Sequence, residues 1–177
     1  MTHSWCQRLA TIAGALTITL SVRTNAQIPA SAGIALGLTA PVSAFGSDKN
    51  VGYHLAIMGD FGVPSTPFGV RLEGAYHELK YSGNSTRDQI LMATADALLK
   101  VPTGTMFVPY LIGGVGVYNS HRNLLLVAHS TTDVGANFGG GIRFELRDVT
   151  TFVEARYHRT TGDANIRMLP VSLGIFF

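Results

Sequence analysis

Residues 30–42 read Ala30-Ser31-Ala32-Gly33-Ile34-Ala35-Leu36-Gly37-Leu38-Thr39-Ala40-Pro41-Val42. The even positions are all apolar, and the odd positions are mostly small or polar. Successive side chains of an extended chain point to opposite faces, so this alternation marks a β-strand with one greasy face. At 13 residues it is long enough to cross a bilayer as a tilted strand and too short to cross as a helix.

Seven further segments repeat the pattern. Val51–Phe61 sets Tyr53, Leu55 and Ile57 against His54 and Asp60. Phe68–Leu79 sets Phe68, Val70, Leu72 and Tyr76 against Arg71, Glu73 and His77. Gln89–Val101 sets Leu91, Ala93, Ala95, Ala97 and Leu99 against Thr94, Asp96 and Lys100. Met106–Tyr118 sets Phe107, Leu111, Val115 and Val117 against Tyr110, Gly114 and Gly116. Thr132–Glu145 sets Val134, Ala136, Phe138, Ile142 and Phe144 against Asn137, Arg143 and Glu145. Thr150–Thr160 sets Val153, Ala155 and Tyr157 against Glu154, Arg156 and His158. Arg167–Phe177 sets Leu169, Val171, Leu173 and Ile175 against Ser172 and Gly174.

The links also alternate. Pro102-Thr103-Gly104 and Leu146-Arg147-Asp148 are tight, and the link after Phe61 (GVPSTP) is somewhat looser. The runs around Gly46–Asn50, Tyr81–Asp88, Asn119–Thr131 and Thr161–Asn165 are mostly longer. Short turns at one end and longer loops at the other are the layout of an outer-membrane barrel. An open sheet of this pattern would leave unpaired backbone groups in lipid at several kcal/mol each, so the sheet must close. The expected fold is all-β: an eight-stranded antiparallel up-and-down transmembrane β-barrel over residues 27–177.

Composition agrees. Charged residues are 14% of the 177, against about 25% in an ordinary soluble domain. The net charge of +2, with acids and bases interleaved, offers no basic face for nucleic acid. The N-terminus reads as an export signal over residues 1–26. Arg8 precedes the apolar run Leu9–Val22, and Thr24-Asn25-Ala26 supplies small residues for cleavage before Gln27. The single cysteine, Cys6, falls in that leader, so the mature protein is expected to carry no thiol.

Three features place the greasy face outward. Four bases, Arg71, Lys100, Arg143 and Arg156, match four acids, Glu73, Asp96, Glu145 and Glu154, on the polar face, where they can neutralise one another in a narrow lumen. If the N-terminus is periplasmic, Phe68, Phe107, Phe144 and Phe177 fall near the inner interface and Tyr53, Tyr76 and Tyr157 near the outer one. Two aromatic girdles are what a spanning barrel needs. Finally, the chain ends in the alternating run Ser172-Leu173-Gly174-Ile175-Phe176-Phe177.

That terminal strand resembles the C-terminal assembly signal of outer-membrane barrels. Pro109-Tyr110-Leu111-Ile112-Gly113-Gly114-Val115-Gly116 and Val153-Glu154-Ala155-Arg156-Tyr157-His158 likewise resemble strands of the small outer-membrane β-barrel family, the OmpA-like and OmpX-like barrels. The resemblance covers about the whole mature chain. It implies the bacterial outer membrane as location, outer-membrane lipid as surroundings, and the barrel-insertion machinery as a partner that reads Phe177. It specifies fold well and activity poorly.

No residue set points to a cofactor. Gly113-Gly114-Val115-Gly116 and Gly139-Gly140-Gly141 are followed by neither a helix nor a Lys-Ser/Thr pair, so they cannot cradle phosphate and read as strand glycines. His129-Ser130 near Asp133 contains the residue types of a lipid-modifying hydrolase, but adjacent strand residues point to opposite faces. The leading expectation is a non-enzymatic envelope protein serving integrity or surface interaction, with an extracellular ligand possible at 119–131. A narrow channel or carrier for small or hydrophobic solutes is the alternative, and a lipid A-modifying enzyme a third. Leu124-Leu125-Leu126-Val127, an apolar run in the longest link, reads as an extension of the flanking strands, since apolar edges in water need pairing, or else as an exposed patch that binds a partner.

Overall fold

Each alternating segment is a strand. A computed structural model describes residues 28–42, 49–80, 87–124, 127–146, 149–162 and 164–177. The export-signal expectation lies outside these residues. The strands are β1 (Ala30–Pro41), β2 (Gly52–Gly62), β3 (Phe68–Lys80), β4 (Arg87–Lys100), β5 (Phe107–Leu124), β6 (Val127–Leu146), β7 (Val149–Thr160) and β8 (Arg167–Phe176). All neighbours are antiparallel in chain order, and β8 pairs with β1 to close the barrel. Closure gives every strand two partners and leaves no edge to satisfy.

Alternation now has a direction. On β1, Ile34, Leu36 and Leu38 face outward while Ala35 and Thr39 are buried inside. On β4 the outward row includes Leu91, Ala93, Ala95 and Ala97, and the inward row includes Met92, Thr94, Asp96 and Leu98. The large outward side chains are exposed to the surroundings, and the buried charged groups lie inside, except Glu78, which is covered by Tyr76 and Arg87 on the outer face at the loop end. That is the inverse of a soluble barrel.

One end of the barrel, the turn end, carries the β2–β3 and β4–β5 turns and the C-terminus. Thr66 braces the first turn by donating to the Val63 carbonyl at 2.9 Å. Gly104 turns the second with φ +70°, a conformation open to glycine. At the opposite, loop end the strands flanking the link Asn119–Thr131 are extended, as the apolar run Leu124–Val127 led one to expect. Within this link β5 and β6 stay paired out to Leu124↔Val127, and these two strands are longer than the others. Continued pairing satisfies backbone groups that a free loop would leave to water.

Candidate functional site: the ion-paired lumen

The inward side chains of the turn-end half form one network. Arg71 on β3 is buried and gives Nε to Asp60 Oδ1 of β2 at 2.7 Å, Nη2 to Asp60 Oδ2 at 3.3 Å, and Nη1 to Glu154 Oε2 of β7 at 2.7 Å. Arg143 on β6 donates to the same Asp60. Arg156 on β7 pairs with Glu73 on β3, with Asp96 Oδ2 on β4 at 3.2 Å and with Glu154 Oε1 at 2.8 Å. Neutral donors complete it. Tyr110 OH reaches Glu154 Oε2 at 2.6 Å, Asn137 Nδ2 reaches Asp96 Oδ1 at 2.7 Å, and Thr94 reaches Asp96 Oδ2 at 2.8 Å.

The chemistry of this choice is legible. Burying an ion costs several kcal/mol, offset only where the partner geometry is good. Guanidinium suits the task because its planar fork serves two carboxylates at once. Aromatic rings cover the remaining faces: Arg71 Cζ lies 5.4 Å from the Phe152 centroid and 5.2 Å from that of Phe176, and Arg143 Cζ lies 5.1 Å from Tyr110. Room for Tyr110 comes from glycine on the neighbouring strand, where Gly141 of β6 is its cross-strand partner. A Cβ on Gly141 would lie 2.7 Å from the Tyr110 hydroxyl.

Toward the loop end the lumen changes character. Thr39 Oγ1 bonds both His54 Nδ1 at 3.0 Å and His77 Nδ1 at 2.8 Å, and the two rings stack at 4.9 Å. His54 Nε2 meets Ser172 Oγ at 2.9 Å, and Tyr118 OH meets His158 Nδ1 at 2.9 Å. Leu79, Ile90, Ile166 and Met168, each 0% exposed, belong to the apolar cluster that fills this half.

Of the eight charged residues expected in the lumen, Arg71, Glu73, Asp96, Arg143, Glu154 and Arg156 are brought together. Lys100 and Glu145 are not. Lys100 is half-buried and Glu145 exposed at the turn-end limits of their strands, and neither forms an ion pair within 4 Å among the described residues. They sit where the lumen opens to solvent, so no pairing is forced on them. Sequence reasoning put Asp60 and Tyr110 on the polar face but missed their roles; Asp60 joins Arg71 and Arg143 as a hub.

The expected girdle residues lie on the outer face. Phe68, Phe107, Phe144 and Phe177 sit at the turn end, with Phe107 and Phe144 packed edge to face at 5.4 Å. Tyr53, Tyr76 and Tyr157 lie toward the loop end, where Tyr76 OH donates to Glu78 Oε2 at 3.2 Å. Of the hydrolase-like set, Ser130 and Asp133 point to opposite faces of β6. Ser130 is exposed and accepts from Asn119 Nδ2 at 3.1 Å, whereas Asp133 is buried on the inner face and accepts from Ala164 N at 3.0 Å. The side chain of His129 lies outside the described residues, as do those of Leu124–Val127. Among the described residues no group of three His, Cys, Asp or Glu side chains is placed to hold a metal.

Residues 12–176 match the family described as outer membrane protein beta-barrel domain. Among solved structures, the chain is similar to Neisserial surface protein A at 18% identity and a TM-score of 0.67, covering 83% of this chain and 95% of that one. It is similar to the N-terminal β-barrel domain of Pseudomonas aeruginosa OprF at 14% identity and a TM-score of 0.57, covering 84% and 96%. It is also similar to Ail, the attachment invasion locus protein of Yersinia pestis, solved in complex with the heparin analogue sucrose octasulfate, at 13% identity and a TM-score of 0.58, covering 83% and 96%. At these identities the likeness is one of fold. No curated protein matches the chain.

Proposed function

The chain belongs to the outer membrane protein beta-barrel domain family and resides in the bacterial outer membrane, and from that premise we propose that it is a closed, non-enzymatic envelope barrel that presents its β5–β6 hairpin outward for surface interaction. On this reading the turn end is periplasmic and the loop end faces the exterior. The observation that carries it is the filled lumen. Arg71 joins β2 to β7 across the interior, and toward the loop end the lumen is occupied by buried apolar side chains such as Leu79, Ile90 and Met168 together with the hydrogen-bonded His54, His77 and His158. A conducting pore needs a continuous polar path, and an eight-stranded barrel has room only for side chains or for such a path.

The hairpin supports the second half of the reading. β5 and β6 run to 18 and 20 residues, where about 9–11 suffice to cross a bilayer. A barrel of the same fold, Ail, is solved with a sulfated ligand analogue, which makes an extracellular ligand at residues 119–131 the natural form of that interaction. The test is reconstitution in a planar bilayer. The folded protein should give no stepwise conductance. Regular single-channel steps would replace this reading with the narrow channel, and removal of acyl chains from lipid A by the pure protein would replace it with the enzyme.

A further inference from the structure

The lipid-facing wall is uneven. Ala95 on β4, Val115 on β5 and Ala136 on β6 are successive cross-strand partners, and the same row continues through Arg159 on β7 to Arg167 on β8. Beside it run Ala93, Val117 and Val134, the last receiving Thr161 N at 3.0 Å. These small side chains leave an open groove of about 940 Å³ on the outer wall, whose lining reaches Arg159 and Thr161. Barrel strands tilt by roughly 35–45°, so a row drawn across them climbs through the membrane. Ala95 lies in the turn-end half of β4, and Arg159 is the penultimate residue of β7 at the loop end. The groove therefore rises from within the apolar band to the outer interface.

What waits at its upper end is two arginines in direct cross-strand opposition. Like charges so placed destabilise a sheet. Arg159 is exposed and Arg167 half-buried, and neither forms an ion pair with a described residue. Arg87 at the same rim differs: its Nη1 meets Glu78 Oε1 at 3.0 Å. A second copy of this chain would bring two more arginines to the spot, whereas an anionic amphiphile answers both the charge and the apolar groove below it.

We propose that the groove holds an acyl chain of a phosphate-bearing lipid of the outer leaflet, with the phosphate seated between Arg159 and Arg167. Guanidinium forks match phosphate oxygens in pairs. The proposal rests on the outward facing of the loop end.

The test uses the folded barrel in detergent, incubated with bis-phosphorylated lipid A, with retained lipid counted by native mass spectrometry. Folding of each variant is checked by heat-dependent gel mobility. The double variant Arg159→Gln/Arg167→Gln should weaken retention about 30-fold, from the usual interfacial contribution of two arginines. Ala136→Trp, or Ala95→Phe should the first not fold, fills the groove while keeping both arginines and should also weaken it. Arg87→Gln should leave it unchanged, and lipid A stripped of phosphate should bind as weakly as the double variant binds the intact lipid. Undiminished retention by the double variant would overturn the proposal. So would competition by inorganic phosphate with no effect of groove filling, which means a free-anion site. A dimer mass abolished by groove filling would assign the surface to a second copy instead.

Discussion

Arg71 and Glu154 face each other across the barrel interior, on β3 and β7, with Nη1 and Oε2 2.7 Å apart and both side chains buried. No hydrogen-bonded ladder connects those two strands, so this ion pair ties one wall to another. The same guanidinium holds Asp60 on β2. Loss of one side chain therefore leaves two buried carboxylates short of a partner.

Arg71→Ala should be among the most damaging single changes in the lumen. Breaking a buried ion pair from one side costs about 3–5 kcal/mol, a large part of a total of about 5–15 kcal/mol. Arg71→Lys keeps the charge but not the fork, so its loss should fall between Ala and wild type. Urea unfolding of the protein in lipid vesicles, followed by tryptophan-independent gel mobility, reads the difference. An Arg71→Ala midpoint equal to wild type would remove the network from the account of stability.

Gly33 tests the packing of the closing seam. A Cβ there would lie 2.6 Å from Phe176 Cδ1 and 2.9 Å from the Ile175 carbonyl oxygen. Gly33→Val should cost about 1–3 kcal/mol through overpacking. Because the ring is one of the two obstacles, Gly33→Val in a Phe176→Ala background should cost less than in wild type. Strict additivity in that double-mutant cycle would mean the ring is not what the glycine accommodates.

Much of this was readable in advance, for a physical reason. With a period of two, one residue on the correct face fixes every other residue of its strand, so Arg71, Glu73, Glu154 and Arg156 were all placed from alternation alone. The role of Asp60 was not readable. Its parity put it inside, but its partners Arg71 and Arg143 come from β3 and β6, and which inward groups meet depends on the tilt and stagger of the closed barrel. The apolar filling was hidden for another reason. On β4 both faces carry large apolar residues, Ile90, Met92 and Leu98 inward and Leu91 and Leu99 outward, so hydrophobicity alone does not distinguish lumen from lipid there. The hairpin beyond Tyr118 was only partly readable: the apolar run Leu124–Val127 pointed to continued strands, whereas polar residues such as Asn119, Ser120 and Thr132 suit a loop and a solvated strand equally.

Phe177 separates assembly from stability. Its side chain is 64% exposed on the outer face, and its backbone closes the barrel through Phe177 N to Ala32 O at 2.9 Å and Ala32 N to Phe177 O at 3.2 Å. Two backbone hydrogen bonds contribute about 1–3 kcal/mol in all. Deleting Phe177 should therefore lower the unfolding midpoint of the refolded protein modestly, while in cells the yield of inserted barrel should collapse, if the insertion machinery reads the terminal aromatic. Wild-type yields of inserted barrel from the truncated chain in cells would count against that role.

The facing of β8 is the most direct test of the membrane reading. Val171 is 46% exposed, pairs with Leu38 and Ala155, and should touch lipid chains; Ser172 is 8% exposed and bonds His54 at 2.9 Å. An arginine on the lipid face near mid-depth costs roughly 2–4 kcal/mol, so Val171→Arg should be visibly destabilising in bilayers. Ser172→Arg meets no lipid, but it breaks the His54 contact and crowds a filled lumen, so it too should destabilise. Stability alone therefore does not distinguish the two faces. Labelling does. A fluorophore on single cysteines replacing Leu169, Val171 or Leu173 should be quenched by bromine-labelled lipid tails, because these three side chains point outward. The same label replacing Met168, Pro170 or Ser172 should escape quenching where the variant folds, because those positions are buried inside. Equal quenching of both sets, or quenching of the inner set alone, would reverse the inside and outside of the barrel, and with it the placement of the ion pairs, the girdles and the lipid groove.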